Sequence, residues 1–350
     1  MTLALQRTAV AETKGRDTRK DPVNVPPQGQ PIPELAVPVN GAPPSTTNRM
    51  NGKLPGRIYA RASFQARAAG GHYVDISGII AIDPENGKWV QITSQGNSPR
   101  VSRDGSRLAF CTERGRKGTI VCLNQPNTRP IQIFPKRGRP VWAPDGKSLV
   151  VTVSTPAQAA YHGEEFWGCE SAKWQLGADG SKPRQLPLPT LHAVEDWSPD
   201  GRWLATHWDT HSAAGSHLYV MRVDGTGLRQ LTAPGYNYSW YPRFSPDGKW
   251  VLHKHLDKGR LSIRVIDFNA TTVREVLGQV GRAAPETACW SPDGRYIAVL
   301  VFNFENDLAS MGDVADQDWR IVIVDVAAKS RHELRLTDAT AVTIDGLDWR

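Results

Sequence analysis

The residues best suited to chemistry in this chain are histidines: His207, His211, His253 and His255, with His192 and His217 nearby in sequence. Converging imidazoles beside Asp209 or Asp257 could hold a divalent metal. The strand register argues against it. Aligned on Trp203 and Trp250, His207 matches Lys254, so His207 and His253 point to different faces unless a bulge intervenes, whereas His253 and His255 share one. Histidines at strand ends more often serve as hydrogen-bonded structural residues, so neither a metal nor any other cofactor is expected. A second set is aromatic: Tyr236, Tyr238, Trp240 and Tyr241, with Tyr161, Phe166 and Trp167 earlier in the chain. Exposed Tyr and Trp suit protein hot spots and also stack on sugar rings, while the plainer reading has Trp240 and Tyr241 plugging a junction between repeats. A third set is basic, with Arg114, Arg116 and Lys117 in one loop and Lys136, Arg137 and Arg139 in another. It would attract an acidic partner, a phosphate surface or anionic lipid, or serve only as a solvated flank. Stacking aromatics are not interleaved with it, so nucleic acid is not an expected partner. Glu164-Glu165 and the run Asp313, Asp316, Asp318 read as solvated loop residues rather than paired catalytic carboxylates. Neither a Gly-rich phosphate loop nor an H-E-x-x-H motif occurs.

The elements that must position these residues repeat. A turn signature recurs as Ser102-Arg103-Asp104-Gly105, Ala143-Pro144-Asp145-Gly146, Ser198-Pro199-Asp200-Gly201, Ser245-Pro246-Asp247-Gly248 and Ser291-Pro292-Asp293-Gly294. Successive aspartates lie 41 (Asp104 to Asp145) to 55 (Asp145 to Asp200) positions apart, the period of a propeller blade. Ser bonds back to the chain, Pro presets φ, and Gly closes the turn where φ must be positive. A large apolar residue precedes each Asp by three: Val101, Trp142, Trp197, Phe244 and Trp290. Apolar runs follow each Gly, such as Trp203-Leu204-Ala205-Thr206, and then come a third run and a shorter fourth, so each unit is four short strands. Residues 57–62, 76–83 and 88–93 look like a unit lacking its first strand. Leu347-Asp348-Trp349-Arg350 looks like a first strand with nothing after it, Trp349 matching Trp197 and Trp290. The expectation is therefore an all-β, six-bladed propeller over 54–350, closed by the C-terminal strand joining the N-terminal blade, which removes exposed sheet edges.

At these residues the chain resembles the TolB-type, WD-like propeller repeat. The stretch from Asp196-Trp197-Ser198-Pro199-Asp200-Gly201 through His217-Leu218-Tyr219-Val220-Met221 to Gln230-Leu231-Thr232 carries the likeness most closely. Similar repeats occur in a periplasmic protein-binding subunit, in propellers attached to serine peptidases and in some polysaccharide lyases. The resemblance implies a non-enzymatic scaffold, monomeric, that binds a protein or peptide through its loop face. The rival is a propeller enzyme or carbohydrate-binding protein, a metal-assisted lyase of acidic oligosaccharides using the histidines and aromatics. Peptidase activity is not expected, because no Gly-x-Ser-x-Gly elbow is present and the blades leave no room for a hydrolase domain. In such a ring the Ser-Pro-Asp-Gly turns face one end, while the longer loops (63–75, 154–168, 207–217, 302–319) and the blade junctions 187–196 and 233–243 crowd the other. Binding is expected at that second end.

Residues 1–53 differ in kind: Pro26-Pro27, Pro31, Pro33, Pro38 and Pro43-Pro44 without aromatics predict a disordered tail. The start lacks the apolar stretch of a secretory signal, and no apolar run is long enough to span a membrane. A cytoplasmic location is the default, and the resemblance pulls towards the periplasm, which a mis-started N-terminus would reconcile. Net charge is +7, concentrated in residues 97–147, where eleven Lys/Arg face three Asp/Glu. Cys111, Cys122, Cys169 and Cys289 form no C-x-x-C pair. Cys111 and Cys122 are expected opposite each other across a hairpin, reduced thiols being favoured over a disulfide.

Overall fold

The computed structural model describes residues 53–68, 71–112, 117–123, 131–134, 140–154, 171–209, 215–233, 235, 237–303 and 319–350. Among them are twenty-four strands and no helix. The first unit comprises β1 (Ile58–Arg67), β2 (Tyr73–Ile82) and β3 (Trp89–Thr93). The second comprises β4 (Asn97–Val101), β5 (Arg107–Thr112), β6 (Lys117–Cys122) and β7 (Ile131–Phe134). The third holds β8 (Pro140–Trp142), β9 (Ser148–Ser154), β10 (Ser171–Gly177) and β11 (Arg184–Gln185). The fourth holds β12 (Ala193–Trp197), β13 (Trp203–Asp209), β14 (Ser216–Arg222) and β15 (Arg229–Gln230). The fifth runs β16 (Tyr238–Phe244), β17 (Trp250–Asp257), β18 (Arg260–Asp267) and β19 (Val273–Gly278). The sixth runs β20 (Ala283–Trp290), β21 (Tyr296–Asn303), β22 (Arg320–Asp325) and β23 (Arg331–Leu334), and β24 (Ala339–Trp349) follows.

Each unit is an antiparallel meander, and β24 supplies the first strand of the first unit in the order β24-β1-β2-β3. The sheets of the fourth and fifth units are joined by a single parallel bridge, Ser216 to Tyr238. The turn signature explains the first bend of each unit. Ser198 Oγ donates to Asp200 Oδ1 at 2.6 Å, the Arg202 N–H donates to that same carboxylate at 3.0 Å, and the Trp203 N–H donates to Ser198 Oγ at 2.8 Å. Gly201 takes φ +75°, a value a side chain would disfavour. The Ser245 and Ser291 turns repeat this pattern.

Inner strands are buried on both faces where units pack face to face, so β21 reads Tyr-Ile-Ala-Val-Leu-Val-Phe with nothing exposed. Apolar clusters fill the space between neighbours. One cluster holds Ile79 and Leu108, others Ala109 with Val151, Val150 with Leu204, Val220 with Val251, Val265 with Val299, and Ile323 with Ile58. The succession returns to its start.

Three expectations change in detail. The closing strand is eleven residues long, from Ala339, because residues upstream of Leu347 continue the ladder on β1 as far as Ala339↔Ala66. The loop expected over 63–75 is largely strand, since Ser63 to Arg67 pair with Ser77 to Tyr73. Cys111 faces Gly118, and Cys122 faces Arg107, so the two cysteines are not opposite each other, and Cys111 is buried. The two strands pair in a register in which Cys111 meets Gly118, four positions short of Cys122.

Candidate functional site

Antiparallel meanders put the starts of first and third strands, and the ends of second and fourth, at one end of the molecule. The expected binding residues that fall among the described residues gather there. Tyr238 and Trp240 are two apart on β16 and so share a face. Their rings stack at 5.3 Å between centroids with planes 16° apart. Trp240 lies across from Lys254 of β17, whose Nζ sits 5.7 Å over the indole and pairs with Glu286 of the next unit at 2.6 Å. Tyr238, Trp240 and Tyr241 are all half-buried.

Tyr241 occupies a bulge with φ +56°. The same irregularity recurs in the first strand of other units, between Asn97 and Arg100, Val194 and Asp196, and Pro285 and Thr287, and at Gly346 (φ +63°) in β24. A bulge adds one residue to a strand and re-aims the side chains around it. Here it sends Glu195 and Glu286 away from the sheet alternation and towards neighbouring units.

Glu195 is the centre of a buried charge cluster. Its carbonyl accepts from Arg100 Nη2 at 3.2 Å and Arg243 Nη1 at 3.0 Å, and its carboxylate lies 3.6 Å from Arg100 and 3.7 Å from His207 Nδ1. These groups come from the second, fourth and fifth units. Charged residues also precede the large apolar residue of several repeats: Arg100 before Val101, Asp196 before Trp197, Arg243 before Phe244 and Asp348 before Trp349. Asp196 accepts from the Phe244 N–H at 2.7 Å and Asp348 from the Val101 N–H at 2.6 Å, each tying one unit to the next. Burial raises the Asp196 pKa. Removing the Glu195 carboxylate takes a counter-charge away from the buried Arg100. E195A is expected to cost about 3 kcal/mol by chemical denaturation, and E195A combined with R100A less than the sum of the two.

The histidines separate into neighbouring groups. His207 and Lys254 hold the same register position, as aligned, and each meets a bulge glutamate. His253 and His255 sit 5.9 Å apart, ring to ring, and both are buried. His253 Nδ1 donates to the Lys254 carbonyl at 3.2 Å, and burial followed by His255 holds its pKa at about 3. His255 Nδ1 lies 2.9 Å from Ser239 Oγ, and burial followed by Arg264 holds it at about 4. His192 Nδ1 lies 3.1 Å from Thr206 Oγ1, and burial followed by Lys173 brings it to about 3. Neutral rings of this kind have lone pairs that could serve a metal, but no group of three His, Cys, Asp or Glu among the described residues is placed to hold one.

Sequence reasoning missed Lys173, the most buried cation described. Its Nζ lies 2.7 to 3.0 Å from four acceptors for its three protons, the carbonyls of Ser171, Pro189 and Thr190 and Ser171 Oγ, and burial lowers its pKa to about 7. An alternating strand with a lysine on its inward face is the signal that could have found it. Arg100 and Glu195 were also missed, and their place one and two residues before the repeated large apolar position was the available clue. Tyr236, Trp167, Arg114, Arg116 and His211 lie outside the described residues, as do Tyr161, Phe166, the Glu164-Glu165 pair, Asp313, Asp316, Asp318 and tail residues 1–52. Lys117 begins β6, with its side chain likewise outside them. No helix long and apolar enough to cross a membrane occurs among the described residues.

No family model matches the sequence. An uncharacterized protein of Agrobacterium fabrum is 30% identical over 116 residues, 30% of this chain and 38% of that protein. YuxL, an uncharacterized peptidase of Bacillus subtilis, is 27% identical over 168 residues, 47% of this chain and 22% of that protein. The chain thus matches well under half the length of either curated relative. Among solved structures, TolB from Acinetobacter baumannii superposes with a TM-score of 0.61 at 16% identity, covering 85% of this chain and 67% of that one. A TolB from Agrobacterium tumefaciens, described as putative, gives 0.56 at 16% identity over 81% of this chain and 91% of that one. An oligogalacturonate lyase from Vibrio parahaemolyticus gives 0.51 at 13% identity over 79% and 78%. Identities this low speak to fold alone. The shared chain path, the four-stranded meanders and the repeated turns make this an all-β protein with the TolB-like β-propeller fold.

Proposed function

We propose that the chain is a non-enzymatic scaffold that binds a protein or peptide at the loop end of its propeller. The observation that carries this reading is the Tyr238–Trp240 ledge. Two stacked aromatics are held half-exposed by a lysine that is itself fixed by Glu286. Rigid aromatics with apolar faces and polar edges lose little entropy on docking, which is why they dominate binding hot spots. The rival reading, a lyase of acidic oligosaccharides, draws on a shared fold alone.

Peptides selected from a random display library on the immobilised chain test the proposal. The Y238A/W240A variant is expected to bind the selected peptides at least roughly tenfold more weakly, since each hot-spot aromatic contributes on the order of 1 kcal/mol or more. Both side chains are partly exposed, so melting temperature should change little. Equal affinity for wild type and variant would reject the aromatic ledge as the binding surface.

A further inference from the structure

At the opposite end of the molecule, where the short turns lie, the fifth and sixth units do not close on each other completely. A cavity of about 450 Å³ opens over the apolar cluster between them. That size falls within the range of small-molecule sites, roughly 300–1,000 Å³. Val265, Leu277, Trp290 and Val324 form its floor.

The rim carries both signs of charge, and the two differ in how they are bonded. The carboxylates are committed: Asp247 and Asp293 accept from the serines and N–H groups of their own turns. Asp325 accepts from the Ala327 and Ala328 N–H groups and pairs with Arg295, and Glu275 takes both Arg260 nitrogens at 2.7 Å. The cations are not so committed. Arg274 lies 4.8 Å over the Trp250 ring. The exposed Lys329 and Arg331 side chains make no hydrogen bond or ion pair with any described residue.

We propose that this cleft binds a small amphipathic carboxylate, its apolar body against Trp290 and Val324 and its charge at Lys329 and Arg331. An apolar floor beneath available cations favours a ligand with one anionic group over a neutral or cationic one, and arginine and lysine are the natural donors to a carboxylate. The site is separate from the aromatic ledge, so either proposal can fail without the other.

Calorimetric titration of the full chain with decanoate, kept below its micelle concentration, and with neutral decanamide tests it. Wild type is expected to bind one decanoate. K329A/R331A, altered only at exposed positions, should bind it about tenfold more weakly while its affinity for decanamide stays unchanged. Leu277→Trp, which fills the floor, should weaken both ligands, and Y238A/W240A should leave both alone. The assignment is overturned if wild type shows no saturable one-to-one binding, or if decanoate binds K329A/R331A as tightly as wild type.

Discussion

Replacing Trp349 by alanine is expected to remove about 4 kcal/mol of stability, the cost of emptying a fully buried large aromatic site. The side chain is 0% exposed. Its indole N–H donates to the Pro55 carbonyl at 2.6 Å, and its ring stacks with Tyr296 of the sixth unit at 6.4 Å. One residue thus joins three places: the last strand, the segment entering the first unit, and the unit before it. Backbone bonds between Arg57 and Arg350, in both directions, extend the same seam. Trp349→Phe keeps most of the volume and loses the N–H, so it should cost roughly 1–2 kcal/mol. Deleting residues 345–350 should do more than either, because it also strips part of the first strand from β1 and exposes that edge. Urea denaturation followed by tryptophan fluorescence measures all three. A W349A protein as stable as wild type would mean that the seam contributes nothing to holding the units together.

Acidification from pH 6.5 to 5 is expected to destabilise the fold by several kcal/mol. His192, His253 and His255 are held at about 3, 3 and 4 in the folded state, against an ordinary 6.5. In the unfolded chain the same rings take up protons as pH drops through about 6.5, whereas the folded ones stay neutral. The unfolded state then binds more protons, so stability is lost as pH falls and is restored above pH 6.5. Each ring contributes about 1.6 kcal/mol over that interval of 1.5 pH units, or roughly 5 kcal/mol for three. Carboxylates held low, such as Glu275 and Asp247, act only at lower pH. Asp196, raised by burial, pulls in the opposite direction, and Lys173 at about 7 has nearly finished titrating. Thermal melts at pH 7.5, 6.5, 5.5 and 5.0 should show a drop on the order of 10 °C, with H253Q flattening the dependence by about a third. A melting temperature constant across this range would contradict the burial of neutral rings.

The turn at Ser198-Pro199-Asp200-Gly201 shows what is legible in a linear pattern. All its bonds run between residues at most five apart, so residue type and order suffice to predict it. The aromatic ledge was legible in part, because Tyr238 and Trp240 share a strand face by simple alternation. The face of Tyr241 was not, since a bulge breaks the alternation there. The cysteine pairing failed for a related reason: shifting a hairpin loop by two residues moves every partner in the ladder.

By itself the order of residues determined the repeated unit, its all-β character and the family it resembles, because strand period and turn chemistry are local. Tertiary structure alone decided which charges meet. Arg100 reaches Glu195 across 95 positions, Arg243 reaches it across 48, and Asp348 reaches Val101 across 247. Those meetings depend on how the units are set around one another and on bulges that rotate single side chains. The cleft between the fifth and sixth units belongs to the same class: it is space left between two sheets, and no residue in either sheet announces it.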